Sequence, residues 1–307
     1  MENKFFEFVE GDEMIVAPGI VAKRIRALVA IPALLWAPAV QPGDLGGYIA
    51  VSKNLVSGNA WVYGNALVYG DAQVSGNARV YGNALVYGDA QVSGNARVYG
   101  NARVYGNALV YGDAQVSGDA QVSGDAQVYG NARVYGNARV YGDAWVYGDA
   151  WVYGDARVYG NALVYGNALV YGNALVYGDA QVSGNALVYG NARVYGNARV
   201  YGDAWVYGDA RVYGNALVYG NALVYGNAQV TEKCSRTPIL ISGLRYTITI
   251  TDDHLRAGCQ CHPLAKWPTF TTAEVAAMDG KDALRFYPQL LALLAAAVPS
   301  ATAEVSE

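Results

Sequence analysis

The stretch Gly142-Asp143-Ala144-Trp145-Val146-Tyr147-Gly148-Asp149-Ala150-Trp151-Val152-Tyr153 states one six-residue phrase twice. On both sides of it a valine recurs at every sixth position, from Val56 to Val230, giving thirty units, all but the first and last of the form Ala-x-Val-Tyr/Ser-Gly-Asn/Asp. So short and fixed a period decides the fold class before any residue propensity does. Ala and Val lie two residues apart, so in extended chain both face one side while x and Tyr/Ser face the other. The Gly-Asn or Gly-Asp pair signals a corner, because Gly takes positive φ freely and Asn or Asp tolerates the left-handed region. A helix is excluded, since Val and Gly at period six would wander around a 3.6-residue wheel.

Each unit is therefore about four extended residues and a two-residue corner, and three units close a triangular coil. Coils stacking through parallel strand pairing at about 4.8 Å give about ten coils and a rod about 48 Å long. Val fills the prism, each contributing on the order of 1.5–3 kcal/mol when buried, against the entropy of ordering its unit. Ala keeps the prism narrow. Both ends expose strand edges and need closing.

The phase Val-x-Gly-Asn/Asp-Ala-x resembles the hexapeptide signature of left-handed parallel β-helices, across all thirty units. The resemblance implies an all-β solenoid, a left-handed parallel β-helix of about ten triangular coils, with a small N-terminal cap and an α+β C-terminal cap. The corresponding boundaries are a leader over residues 1–54, the array over 55–231 and a capping unit over 232–307.

Residues eighteen apart stack on one face. The x positions of the first face are Trp61, Arg79, Arg97, Gln115, Arg133, Trp151, Leu169, Leu187, Trp205 and Leu223. The second face runs from Leu67 to Gln229 and contains Arg139 over Arg157 and Arg193 over Arg211; the third runs from Gln73 to Leu217 and contains Trp145. Columns of tyrosine accompany them, twenty-three rings in all, interrupted by serine and ending at Thr231. Trp145 and Trp151 thus fall on different faces. Most of this tyrosine ladder reads as coil-on-coil packing. Trp151, Leu169, Leu187, Trp205 and Leu223 are different: five successive coils without a charge at x, an apolar strip longer than a monomer usually exposes. Proteins resembling this one in fold commonly form trimers, so the expected partner is the chain itself, as a homotrimer, with this strip as the interface.

The formal charge of −4 gives no broad attraction to nucleic acid or anionic membrane, and the array itself balances nine Arg against eleven Asp. Grooves between rods lined by Tyr, Trp and Arg suit a nucleotide-like ligand or a host protein. Asp71 over Asp89 and Asp125 over Asp143 stack carboxylates at corners, which serve as turn residues more often than as a calcium site. The fold resemblance also implies acyl transfer at a subunit cleft, an activity that relatives support with a histidine base. No His, Lys or Glu stands in the array; the histidines are His254 and His262. The expectation is accordingly a non-catalytic module with no cofactor.

The leader segments KRIRAL (Lys23–Leu28) and GDLGGYI (Gly43–Ile49), and ITDDHLRAGCQCH (Ile250–His262), resemble hexapeptide-repeat proteins of tailed phages and prophages. That resemblance implies a phage-encoded protein in the cytoplasm of an infected or lysogenic bacterium, or a virion or fibre component. The N-terminus, acidic from the outset, argues against a secretory signal. Val29–Val40 is apolar, and its surface is expected to be paired or buried.

After Thr231 the repeat pattern stops. Ile239–Ile241 and Tyr246–Ile250 read as two strands, Thr271 and Glu274 as a capping box, Phe270 and Val275 as a hydrophobic staple, and 272–278 and 282–298 as helices, the second kinked at Pro288. Cys259, Cys261 and His262, with His254 and Cys234 nearby in sequence, form the one cluster with metal-like composition. Its spacing lacks the second cysteine pair of a zinc site, and ordinary capping residues are the favoured reading.

Overall fold

The computed structural model describes residues 5–298, and the sequence boundaries at 1 and 307 lie outside them. Three stacks of short parallel strands form the faces of a parallel β-solenoid. The first face has ten strands, Trp61–Val62 through Leu223–Val224; the second has ten, from Leu67–Val68 to Gln229–Val230; the third runs from Leu55–Gly58 to Lys233–Cys234. From Trp61 to Val230 every pairing between coils is in parallel register at eighteen residues, as in Trp151 with Leu169 and Val152 with Val170. The Ala and Val side chains from Ala66 to Val230 are completely buried in one continuous core.

The coil-to-coil hydrogen bonds run both ways but unequally, the Val N–H donating back to the x carbonyl of the preceding coil as parallel pairing of x and Val requires. The N–H groups at x, Tyr and Asn/Asp donate to carbonyls of the following coil, as in Trp145 to Ala162 (3.0 Å), Tyr147 to Val164 (3.0 Å) and Asp149 to Gly166 (2.9 Å). At these positions the first coil is left with unclaimed carbonyls and the last with unclaimed N–H groups, and a buried group of either kind is costly when unpaired. The two caps meet these opposite needs.

At the N-terminal end, β1 (Phe6–Ala17) and β2 (Ile20–Ala27) form an antiparallel hairpin, and β3 (Leu45–Ile49) joins it to the second face. This cap supplies donors. Backbone N–H groups of Tyr48 and Ala50 reach Ala66 and Val68; Asn54 Nδ2 reaches Gly70 and Ala72 (3.0 and 2.8 Å); Arg24 Nη1 reaches Gly64 (3.3 Å). Arg24 also bonds Asp12 (2.6 Å) and the Tyr48 hydroxyl (2.6 Å), tying hairpin to coil. Gly46 and Gly47 permit the approach: a Cβ on Gly46 would lie 2.6 Å from Ile25 Cγ1, and one on Gly47 would lie 2.6 Å from the Ala66 carbonyl.

At the other end the cap supplies acceptors. Thr237 Oγ1 takes the Leu223 N–H (3.1 Å), Thr249 Oγ1 that of Gln229 (3.4 Å) and Asp252 Oδ2 that of Ser235 (2.8 Å). The expected pair of strands is a four-stranded antiparallel sheet, β4 (Ile239–Ile241), β5 (Ile248–Ile250), β6 (His254–Ala257) and β7 (Gln260–Pro263). Helix α1 (Thr272–Ala297) packs on it through Phe286, Leu290 and Leu294, and the Thr271–Glu274 capping box is formed. The two helices expected over 272–278 and 282–298 are both there, and Pro288 sits inside the second with helical φ/ψ. The break lies at Asp279 and Gly280, whose φ of 56° places the backbone where glycine is the tolerant residue.

The structure corrects four further readings. Val56 does not enter the prism; it is 37% exposed, and a bulge in Leu55–Gly58 turns Leu55 inward. The interior column does not end at Val230, because Cys234 pairs with Val218 and is fully buried in the valine position. Trp61 and Arg79 are not displayed on the first face: both are buried beneath the leader, whose Ile31 and Val40 are also buried. Trp36 covers Arg97 at 4.6 Å. Arg79 leaves Nε and Nη2 without partners. Finally, Asn and Asp do not take the left-handed conformation at the corners, since every positive φ among the described residues belongs to glycine. Their side chains instead form ladders, Asn59 to Asn77 to Asn95 to Asp113 at 2.9–3.0 Å. Such a ladder ends at Asp, which has no proton to donate.

Corner glycines stack closely. Gly184 and Gly214 share a φ of +66°, but a Cβ on Gly184 would lie 2.9 Å from the Gly202 nitrogen, whereas one on Gly214 has nothing nearer than 3.8 Å. Alanine at either site incurs the left-handed penalty of about 1–2 kcal/mol. Gly184→Ala is expected to lose measurably more stability than Gly214→Ala in thermal unfolding; equal losses would mean that coil spacing at the corners is slack.

Candidate functional site

With the interior nearly invariant, chemistry is confined to the x and Tyr/Ser columns and to the caps. The three faces are those read from the sequence, and Trp145 and Trp151 do lie on different ones. Tyrosines eighteen apart stack in parallel: Tyr135, Tyr153, Tyr171 and Tyr189 follow one another at centroid spacings of 4.8–4.9 Å with planes within 3°. Burial within the stack raises the phenol pKa of Tyr135, Tyr153 and Tyr171 above the ordinary value. This ladder is rigid, apolar on its ring faces and polar at its hydroxyl edge.

Beside it runs the apolar column. Trp151, Leu169, Leu187, Trp205 and Leu223 pair in strict succession. Trp205 is 40% exposed, while Trp151, Leu169, Leu187 and Leu223 are half-buried. Trp151 meets the edge of Tyr135 at 6.3 Å and carries the Arg133 guanidinium over its ring at 4.8 Å. The upper part of the same face is closed by the leader, so the exposed apolar surface begins around Trp151. On the second face, Arg139 pairs with Arg157 and Arg193 with Arg211, stacking like charges where the first face stacks leucine.

The cysteine and histidine candidates do not converge. Cys234 is inside the last coil; Cys259 is exposed at the turn between β6 and β7; Cys261 Sγ contacts Thr231 Oγ1 at 3.6 Å. His262 packs edge-on against Trp267 and Phe270, and burial lowers its pKa. His254 Nδ1 is 2.8 Å from Asp253 Oδ1. Among the described residues no group of three or more His, Cys, Asp or Glu is placed to hold a metal ion.

Sequence reasoning missed a cavity of about 260 Å³ in the C-terminal cap, beside the helix break and lined chiefly by Trp267, Val275, Met278, Phe286, Tyr287 and Leu290, with Cys259 at its edge. Tyr246 donates to Asp279 (2.5 Å) and Arg245 to Asp282 (2.5 Å), holding the break in place. The break itself was legible, because Gly280 lies in the gap between the two helices read from the sequence, 272–278 and 282–298. No described helix is long and apolar enough to cross a membrane.

The thiols provide a test of this arrangement. Burial pushes the Cys234 thiol up to about 12, so it stays protonated and enclosed. Because the folded-state value is raised, its contribution to stability is complete below the ordinary 9.0 and is lost as pH climbs toward about 12. Thiol labelling of the native protein near pH 8 is expected to modify Cys259 first and Cys234 only on unfolding. Cys234→Val, which restores the residue of the repeat, is expected to lessen the alkaline loss of stability. Rapid labelling of native Cys234 would contradict the assignment of that residue to the prism.

A family model described as YdcK beta solenoid repeat matches residues 60–76, 72–88, 90–103, 102–118, 126–139, 132–148, 138–154, 150–166, 156–172, 180–194, 192–208, 210–226 and 216–232. No curated protein matches the chain. The matched segments together cover more than half of the 307 residues and coincide with the coils described above, and the chain belongs to the YdcK beta solenoid repeat family.

Proposed function

We propose that the protein is a non-catalytic binding or structural module that self-associates, as a homotrimer, through the outer apolar column of its first face. The observation that carries this reading is the in-register succession of Trp151, Leu169, Leu187, Trp205 and Leu223, part-exposed and flanked by stacked tyrosine. Five coils at about 4.8 Å make a strip about 20–25 Å long. Leucine and tryptophan on such a strip gain on the order of 1.5–3 kcal/mol each when a partner removes them from water. The other faces offer no equal apolar run, because Arg139, Arg157, Arg193 and Arg211 interrupt the second, and Gln127, Gln181 and Arg199 the third. The left-handed winding and the phage setting implied by the leader belong to this same proposal. A trimer of rods would leave tyrosine-lined grooves facing a captured host molecule.

Native mass spectrometry tests the reading. The expected result is an assembly of three 32.6-kDa chains, and a Leu187→Arg/Trp205→Arg variant that is monomeric with an unchanged far-ultraviolet circular dichroism spectrum. A monomeric wild-type chain, or a variant that remains assembled, would overturn it.

A further inference from the structure

The tyrosine columns are interrupted in a particular way. On the first face the stack Tyr81–Tyr99 resumes as Tyr135–Tyr153, both at 4.8 Å spacing with planes within 2°, and Ser117 occupies the rung between. The backbone does not notice the change: Tyr99 N–H still bonds Val116 and Ser117 N–H still bonds Val134, each at 2.9 Å. Only a ring is missing. Tyr99 and Tyr135 are two rungs apart, about 9.6 Å, which is the thickness of one further ring stacked on both. A cavity of about 210 Å³ fills the place, lined by Tyr99, Gln115, Ser117, Arg133, Tyr135 and Trp151.

The edge of that vacant rung has its own chemistry. In intact rungs the ring edge meets the x residue sixteen positions later: Tyr135 meets Trp151, and the Tyr111 hydroxyl lies 3.3 Å from Gln127 Oε1. For Ser117 the residue at that offset is Arg133, whose guanidinium lies over the Trp151 ring at 4.8 Å. Two other serines interrupt a column with tyrosine on both sides, Ser123 between Tyr105 and Tyr141 and Ser183 between Tyr165 and Tyr201. Their edge residues are Arg139 and Arg199. Arg fills nine of the thirty x positions, so its presence at all three single-ring gaps exceeds what composition supplies. The consecutive serines Ser75 and Ser93, which leave no ring-thick slot, have Gln91 and Leu109 there instead.

We infer that each single-ring gap is a binding slot for a small planar aromatic acid. Its ring completes the tyrosine stack and its oxyanion meets the arginine. Ser117 forms the most enclosed of the three, being 9% exposed, and Trp151 fixes its arginine. The flat faces of two tyrosines select an aromatic ring over an aliphatic one, and the guanidinium selects a carboxylate through paired charge-assisted hydrogen bonds. The slot is built within a single chain and shares only Trp151 with the column proposed for self-association.

The test is titration of the full-length protein with 4-hydroxybenzoate, followed calorimetrically and by Trp fluorescence, with cyclohexanecarboxylate as the non-planar control. The expected result is binding of the aromatic acid and none of the control. Ser117→Tyr supplies the missing ring, so it is expected to fold with a melting temperature at or above that of the wild type and to lose the fluorescence-detected site. Arg133→Gln keeps the slot but removes the cation and is expected to weaken that site at least tenfold. Failure of the wild type to bind, equal binding of the control, or unaltered binding by both variants would overturn the inference. Native mass measured on the same samples separates these outcomes from any change in assembly.

Discussion

The structure depends on a hydrogen bond that reaches seventeen residues ahead, from the N–H at x, Tyr and Asn/Asp to a carbonyl of the next coil. Such a bond exists only if each coil takes eighteen residues, and eighteen residues close only if every third of the coil turns at a glycine with φ near +70°. The completely buried Ala and Val columns then follow, because no larger residue fits two abreast inside so narrow a prism. Its direction, the prevailing one between coils, also shapes the ends. A first coil with an excess of unclaimed carbonyls meets Asn54, Arg24 and the backbone of β3, while a last coil with an excess of unclaimed N–H groups meets Thr237, Thr249 and Asp252. The caps are thus complementary to the polarity of the rod as well as to its apolar cross-section.

The same register turns sequence variation into surface pattern. A substitution at x or at Tyr does not disturb the interior, so columns can change freely while the backbone stays as it is, as the continuous hydrogen bonding through Ser117 illustrates. Three kinds of surface result: an apolar column on the first face, like-charged arginine pairs on the second, and ladders of stacked rings with discrete gaps. Stacked aromatic pairs contribute about 0.5–1.5 kcal/mol beyond burial, so a gap gives up stability at one rung. Retaining an arginine at its edge gives that vacancy a chemical character.

Much of this was legible from sequence because a period of six leaves little freedom. The three faces, their membership, the buried Ala and Val and the separation of Trp145 from Trp151 need only the spacing. What the spacing cannot supply is where non-repeating chain lies over the array. Trp61 and Arg79 obey the outward rule of x positions, yet the leader covers them. Cys234 obscures its place because it follows Val230 by four residues where the repeat demands six, although its thiol is close to valine in size. At α1 the gap left between the two helical segments, 279–281, is where the backbone turns at Gly280. The slot at Ser117 needs the offset of sixteen between a ring and its edge residue, a relation set by how side chains lean across the coil. Once that offset is known, Ser117 with Arg133, Ser123 with Arg139 and Ser183 with Arg199 can be read directly from the sequence.

The eighteen-residue register can be tested by cross-linking. Leu169 and Leu187 are directly paired on adjacent coils, and strands in contact lie about 4.8 Å apart, within the reach of a disulfide. Leu169 and Leu175 are close in sequence but belong to different faces. Under mild oxidation, peptide mapping of monomeric chains is expected to find a disulfide in the Leu169→Cys/Leu187→Cys protein and none between positions 169 and 175 in the Leu169→Cys/Leu175→Cys protein. The reverse pattern, or no link in either, would contradict the register on which the coils, the columns and the slots all rest.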